Sequence, residues 1–250
     1  MVRAKKHLGQ HFLRNEDVAL RIARSLSGQG YDKVLEIGPG MGVLTRFLQN
    51  DNYELTVAEI DRESVVYLET HFPGLRIVPG DFLKLEPFEI MKGSFALVGN
   101  YPYNISSQIV FKMLENKEHI PEMVGMFQKE VAERLVAGPG SKTYGILSVL
   151  CDAFYEREYL FTVEAHEFSP PPKVRSGVIR FKRKENYELP CSEKLFKTVV
   201  KTAFNQRRKT LRNALKPLNL PAEAVEDSLL NLRAEKLSFH DFIHITQKLE

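Results

Sequence analysis

Short apolar runs that end in glycine or a polar residue alternate with helical patterns along the first half of this chain, and few folds accommodate that alternation. "KVLEIG" (33–38), "ELTVAEID" (54–61), "LRIVPGD" (75–81) and "FALVGN" (95–100) read as buried strands. Residues 17–26, 43–48 and 62–70 read as helices, and Ile105, Ile109, Val110, Met113 and Leu114 give the next helix an apolar face. "PEMVGMFQKEVAERLV" (121–136) holds a further strand and helix. Strand and helix in strict alternation predict an α/β domain, a parallel sheet covered by helices on both faces. Beyond a Gly/Ser loop at 138–145, "ILSVLCDAF" (146–154) reads as helix, and "FSPPPKVRSGVIRFKRK" (168–184) as a stiff proline loop followed by a strand. From Glu193 onward every periodic segment is helical. Two domains are therefore expected, 1–185 α/β and 186–250 small and all-helical.

The chain has 250 residues, 43% hydrophobic and 27% charged, enough to bury a core without disulfides. Its two cysteines, Cys151 and Cys191, have no metal or redox spacing. No apolar run approaches the roughly 18–20 residues of a membrane span, and the basic N-terminus lacks the apolar core of a signal peptide. A cytoplasmic location is expected. His240 and His244 have i, i+4 spacing, but no third ligand accompanies them, so no metal is expected.

"LEIGPGMGVLT" (35–45) is a strand, a glycine-rich turn and a helix start. Gly38, Gly40 and Gly42 let a ligand approach the backbone. Their G-x-G-x-G spacing departs from the dinucleotide fingerprint G-x-G-x-x-G. A carboxylate, Glu36, precedes the loop and would repel a diphosphate. S-adenosylmethionine fits better, having an ammonium, a ribose, an adenine and no phosphate. Glu59 or Asp61 at the next strand end is placed to accept the ribose hydroxyls, Glu59 preferred. Asp81 in "GDF" is placed to accept from the adenine amine. The fourth strand runs into "NYPYNIS" (100–106), an amide, a rigid turn and aromatic faces at the mouth of a cleft.

These segments, with "HLGQHFL" (7–13), "FSPPPKVRS" (168–176), "FNQRRKTLRNAL" (204–215) and "RAEKLSFHDF" (233–242), occur in the order that marks one family. The chain resembles the ribosomal RNA adenine dimethyltransferases, and "FNQRRKTLRN" favours their bacterial small-subunit branch. The resemblance implies a Rossmann-like S-adenosylmethionine methyltransferase domain and dimethylation of two adjacent adenosines in the 3'-terminal hairpin loop of small-subunit RNA. It implies cofactor contacts at His11, Leu13, Gly38, Glu59, Asp81 and Asn100, to which the reading of the loop adds Glu36 and Gly40. The partner expected is small-subunit ribosomal RNA or the immature small subunit, and the chain itself is expected to be a monomer. A large-subunit RNA methyltransferase of the resistance type and a ribosome-assembly factor are the alternatives. The family usually carries Leu where this chain has Tyr101, a change that bears on packing if only the main-chain carbonyl acts.

The chemistry expected at this site is alignment rather than strong base catalysis. The lone pair of an adenine amine is delocalised into the ring, so two acceptors off the ring plane would hold the nitrogen in line. The Asn100 side-chain oxygen and the Tyr101 carbonyl suit that role, with Pro102 fixing the turn. Tyr103 is placed to stack on the base, and the resemblance implies Phe168 on its other face. For RNA, the segment 206–216 carries five basic residues and no acid. Read as one helix, it puts Arg208, Arg212 and Lys216 in a stripe, with Arg207 and Lys209 alongside. Lys173 and Arg175 belong to a second basic run, and Lys5 and Lys6 to a third.

Overall fold

A computed structural model describes residues 2–49, 52–221 and 225–250. The central strands are β2 (Lys33–Ile37), β3 (Glu54–Glu59), β4 (Arg76–Pro79), β5 (Phe95–Asn100) and β6 (Glu122–Gln128). They pair in parallel in the order β4-β3-β2-β5-β6. The near-continuous apolar character of β2, β5 and β6 follows from burial on both faces, as a helix-covered parallel sheet requires. Helices α1 (Glu16–Arg24), α2 (Thr45–Leu48), α3 (Arg62–His71), α4 (Pro87–Met91) and α5 (Ser106–Glu115) alternate with these strands. Asn15 caps α1 by accepting from the amides of Asp17 and Val18, and Asp61 caps α3 by accepting from Glu63.

The sheet is mixed, which corrects the all-parallel expectation. Strand β9 (Ser176–Arg183) runs antiparallel to β6, from Glu122 opposite Lys182 to Gln128 opposite Ser176. Beyond β9 lies β7 (Tyr155–Val163), at the edge of the seven-stranded order. Sequence reading leaves β7 unassigned. Its charge is concentrated at Glu156, Arg157 and Glu158, directly after the helical run, and most of its residues are only partly buried, as at a sheet edge. A separate two-stranded ribbon pairs β1 (Phe12–Leu13) with β8 (Phe168–Ser169), Leu13 opposite Phe168. This ribbon ties the N-terminal segment to the proline loop.

The chain divides into two compact units, Met1–Ala132 with Glu158–Arg183, and Glu133–Arg157 with Lys184–Glu250. The second part of that division begins at Lys184, beside the expected boundary. Residues 133–157, expected in the first domain, group instead with the second unit. The cause is packing. Helix α7 (Ile146–Phe154) buries Val149, Leu150, Cys151 and Phe154, and it contacts α8 (Glu193–Asn205) and α10 (Phe239–Gln247). Arg157, its side chain 9% exposed, donates to the carbonyls of Leu135, Ala137 and Ser148 and pairs with Asp152 at 2.7 Å.

Candidate active site

The carboxyl ends of β2, β3, β4 and β5 open on one cleft of about 220 Å³ in the first unit, where open α/β sheets bind ligands. His11, Gly38, Gly40, Glu59, Asp81, Asn100, Tyr101, Pro102 and Tyr103 all line it. The turn after β2 is stitched to β3 by the Gly38 amide, which donates to Ala58 O at 2.9 Å. At Gly40 φ is +56°, and a Cβ there would lie 2.8 Å from the Phe12 ring. Only glycine fits under the N-terminal segment at that point.

Glu59 is almost wholly buried and accepts two main-chain bonds, from Gly40 at 3.0 Å and Asp61 at 2.8 Å. Burial pushes its carboxyl above the usual range. Asp61 has a different task. It pairs with Lys5 and accepts from Ser64 at 3.0 Å and Gln10 at 3.5 Å. Asp81 turns its own loop by accepting from the Leu83 amide at 3.0 Å.

Among the described lining residues there is no Lys or Arg, whereas Glu59 and Asp81 are both present. This donor set disfavours a phosphate and suits a cationic, hydroxyl-bearing cofactor. S-adenosylmethionine therefore fits the residues present. Glu36 and Leu13 do not line this cleft. They line a smaller adjoining cavity shared with Gly38 and Asn100. Glu36 is 1% exposed and accepts from the Thr45 hydroxyl at 2.7 Å. Its carboxyl is pushed up to about 8, chiefly by burial and further by the charge of Glu59.

At the end of β5 the Asn100 amide nitrogen donates to His11 O at 2.9 Å. That bond leaves its oxygen as the end able to accept from a ligand. Tyr103 lies against the His11 ring, centroids 5.4 Å apart and 28° between planes, and its hydroxyl meets Ser176 Oγ at 2.7 Å. His11 Nδ1 is in turn 2.8 Å from Pro170 O. Ser176 closes the "FSPPPKVRS" segment, but that motif assigns it no role, since its place beside Tyr103 depends on β9 lying next to β6.

The expectation for Phe168 needs correction. Pairing of β8 with β1 turns its ring into the core cluster with Leu13, Val163 and Val178, and it is 2% exposed. The ring stacked against Tyr103 is that of His11. Tyr101 meets its packing problem through two glycines. It is fully buried, donates to Val124 O at 3.3 Å and lies 5.1 Å from the Phe127 ring. Gly99 and Gly125 face each other across β5 and β6, and a Cβ at Gly125 would sit 1.9 Å from the Tyr101 ring. The space of two missing side chains holds the phenol.

A family model described as ribosomal RNA adenine dimethylase matches residues 1–250, the whole chain. The chain belongs to the ribosomal RNA adenine dimethylase family. Two similar relatives, both named ribosomal RNA small subunit methyltransferase A, come from Flavobacterium johnsoniae and Bacteroides thetaiotaomicron. They are 60% and 57% identical over the whole of this chain and over 97% and 95% of their own lengths. Among solved structures, a dimethyladenosine transferase from Plasmodium falciparum superposes with a TM-score of 0.79 at 26% identity, covering 94% of this chain and 96% of that one. The 23S ribosomal RNA methyltransferase ErmE gives a TM-score of 0.69 at 27% identity, covering 94% and 99%.

The basic residues of this family member are less uniform than the sequence suggests. Helix α8 ends at Asn205, and a new short helix α9 spans Leu211–Ala214. The single helix expected through 204–216, with its basic stripe, is not formed. Thr210 bridges to Arg233 and the Leu211 amide donates to Leu232 O at 2.8 Å, which pulls the chain out of helical register. Arg207 pairs with Glu235 at 2.8 Å and donates to Lys142 O at 2.8 Å. Arg208 and Lys209 are exposed, and Arg212 lies 3.4 Å from the Asn231 side-chain oxygen. In the first unit Lys173 is exposed and Arg175 stands 3.6 Å from Glu164. Lys5, expected in a basic run for RNA, is committed to Asp61 and Glu63.

Proposed function

We propose that this chain transfers methyl groups from S-adenosylmethionine to the exocyclic amines of two adjacent adenosines in the 3'-terminal hairpin loop of small-subunit ribosomal RNA. The observation that carries the reading is the Asn100 amide, whose nitrogen is spent on His11 O while its oxygen remains for an amine at the cleft. When bound, S-adenosylmethionine supplies an electrophilic methyl group, so no strong base is needed. Glu59 accepts the ribose hydroxyls with the lone pairs its two main-chain bonds leave over. Asp81 accepts from the cofactor's adenine amine, and the small cavity at Glu36 borders the methionine end.

Asn100 Oδ1 and the Tyr101 carbonyl hold the target amine by its hydrogens and turn its lone pair out of the ring plane. Pro102 has no amide hydrogen and stiffens the turn that aims them. Tyr103, held at its hydroxyl by Ser176, offers its ring to the extruded base. After one transfer the amine keeps one hydrogen, so a single acceptor suffices for the second. The exposed cations Lys173, Arg208 and Lys209 contact phosphates, with Arg175 and Arg212 at the margin. Within this reading the chain acts as a monomer in the cytoplasm on an immature small subunit. No described helix is long and apolar enough to cross a membrane.

Incubation with labelled cofactor, comparing naked small-subunit RNA, partly assembled small subunits and large-subunit RNA and mapping the modified bases, tests the proposal. Two labelled neighbouring adenines are expected. Label confined to large-subunit RNA, or absent from adenine, would overturn it.

A further inference from the structure

The N-terminal segment touches the acceptor side of the cleft at Gly9 and His11, and the cofactor side at Gln10 between them. A Cβ on Gly9 would lie 2.5 Å from Asn104 Oδ1, so the backbone there is pressed onto the "NYPYN" turn. Gln10 reaches Asp61 at 3.5 Å. His11 holds Asn100 through its carbonyl and faces Tyr103 with its ring. The same segment is fastened at its start. Lys5 pairs with Asp61 and lies 3.1 Å from Glu63, and its amide donates to Gln10 Oε1 at 2.8 Å. Asp61 is 2% exposed and is fixed from behind by Ser64.

We propose that the segment from Lys5 to His11 is a positioning element for the methyl acceptor, latched on Asp61 and setting the direction of the Asn100 oxygen. The inference rests on the methyl transfer proposed above. A carboxamide can rotate by half a turn and exchange its oxygen for its nitrogen. A donor in place of an acceptor would repel the amine hydrogens it has to align. The His11 carbonyl removes that freedom, because only the amide nitrogen can donate to it. His11 O can do so only while the segment is docked, and docking is secured by Lys5 and Gln10 at the rim of the cofactor end. One carboxylate on the β3–α3 turn thus governs geometry at the end of β5. Lys5 is a positioning residue in this scheme, since it reaches neither reacting atom.

The test uses the full chain with Lys5→Met, which keeps the aliphatic stem, and Lys5→Arg, which keeps the charge. Amide hydrogen exchange over residues 5–13 reports docking without reference to activity. Single-turnover transfer at saturating cofactor reports alignment, and KM for RNA reports loss of a mere phosphate contact. Lys5→Met is expected to speed exchange in this segment and to slow transfer on the order of tenfold. KM for RNA should stay unchanged, and Lys5→Arg should restore both exchange and rate. Unaltered exchange in Lys5→Met would refute the latch. Faster exchange with a wild-type transfer rate would refute the positioning role, as would a loss confined to KM for RNA or abolished by excess cofactor. A wild-type chain that transfers no methyl to RNA overturns the activity reading itself, and the positioning role with it, whatever the exchange data show.

Discussion

The cleft of the first unit and the basic segment of the second use polar side chains in opposite ways. At the cleft, every polar group with a proposed chemical task is held by the protein. Asn100 is tied to His11, Glu59 to Gly40 and Asp61, and Tyr103 to Ser176. In the basic segment, Arg208 and Lys209 stand exposed, and the neighbour that is firmly held, Arg207, is held by Glu235. The contrast follows from what each contact must achieve. Aligning an amine tolerates little angular error, so the acceptor has to be oriented in advance. Neutralising a phosphate needs charge nearby, and a mobile cation supplies it at a lower ordering cost.

Removing a held group should therefore be far more damaging than removing a free one. Asn100→Ala is expected to lower kcat about 10²–10³-fold while cofactor binding, followed by calorimetry, is weakened but detectable. Near-normal methylation by that variant would erase the contrast. The packing behind the cleft comes next. Gly125→Ala places a methyl group inside the Tyr101 ring and should destabilise the chain by about 1–3 kcal/mol in denaturant titrations. Tyr101→Leu in the same chain should recover most of the loss. If the double variant is no more stable than Gly125→Ala, the glycine pair is not what accommodates the phenol.

The buried carboxyl of Glu36 sharpens the comparison through pH. Its pKa rises from 4.5 to about 8 in the folded chain. Below pH 4.5 both states hold the proton. Between 4.5 and 8 the unfolded state releases it while the folded state keeps it, so stability falls as pH rises through this window. The slope is at most about 1.4 kcal/mol per pH unit and levels off above pH 8. Glu36→Gln should remove this component, as read from unfolding curves at pH 5 and pH 8. An unchanged profile would mean that Glu36 is charged in the fold. Smallest of all, Arg208→Ala should weaken RNA binding several-fold and reduce the salt slope by about 1. Arg207→Ala should affect the stability of its own unit more than that slope.

The motifs around the cleft were legible because each occupies one strand end and its chemistry is local. A β-strand followed by glycines, an acid two strand-ends along and "NYPY" need no knowledge of distant partners to be placed on one sheet edge. The basic segment misled because helical periodicity continues on paper past Asn205, whereas the bridge from Thr210 to Arg233 ends it. Phe168 misled similarly. Its motif lies near the cleft, but pairing with Leu13 turns its ring inward. Strand β7 begins with the charged run Glu156–Glu158 directly after a helix, which masks its start, and α7 joined the second unit through an apolar face whose partners lie about fifty and ninety residues further on.

By itself, then, the sequence determined the α/β alternation, the order of the chemical groups along one edge of the sheet and the glycine spacing with a carboxylate, Glu36, just before the loop. These are consequences of hydrophobic period and of residue type at strand ends, which act over a few neighbouring positions. Only the tertiary structure decided which end of the Asn100 amide faces the cleft, which ring lies over Tyr103, and that Tyr101 fits because Gly99 and Gly125 meet across two strands. Each of these depends on contacts between residues far apart in the chain, and a side chain's direction is set by what it touches rather than by what precedes it.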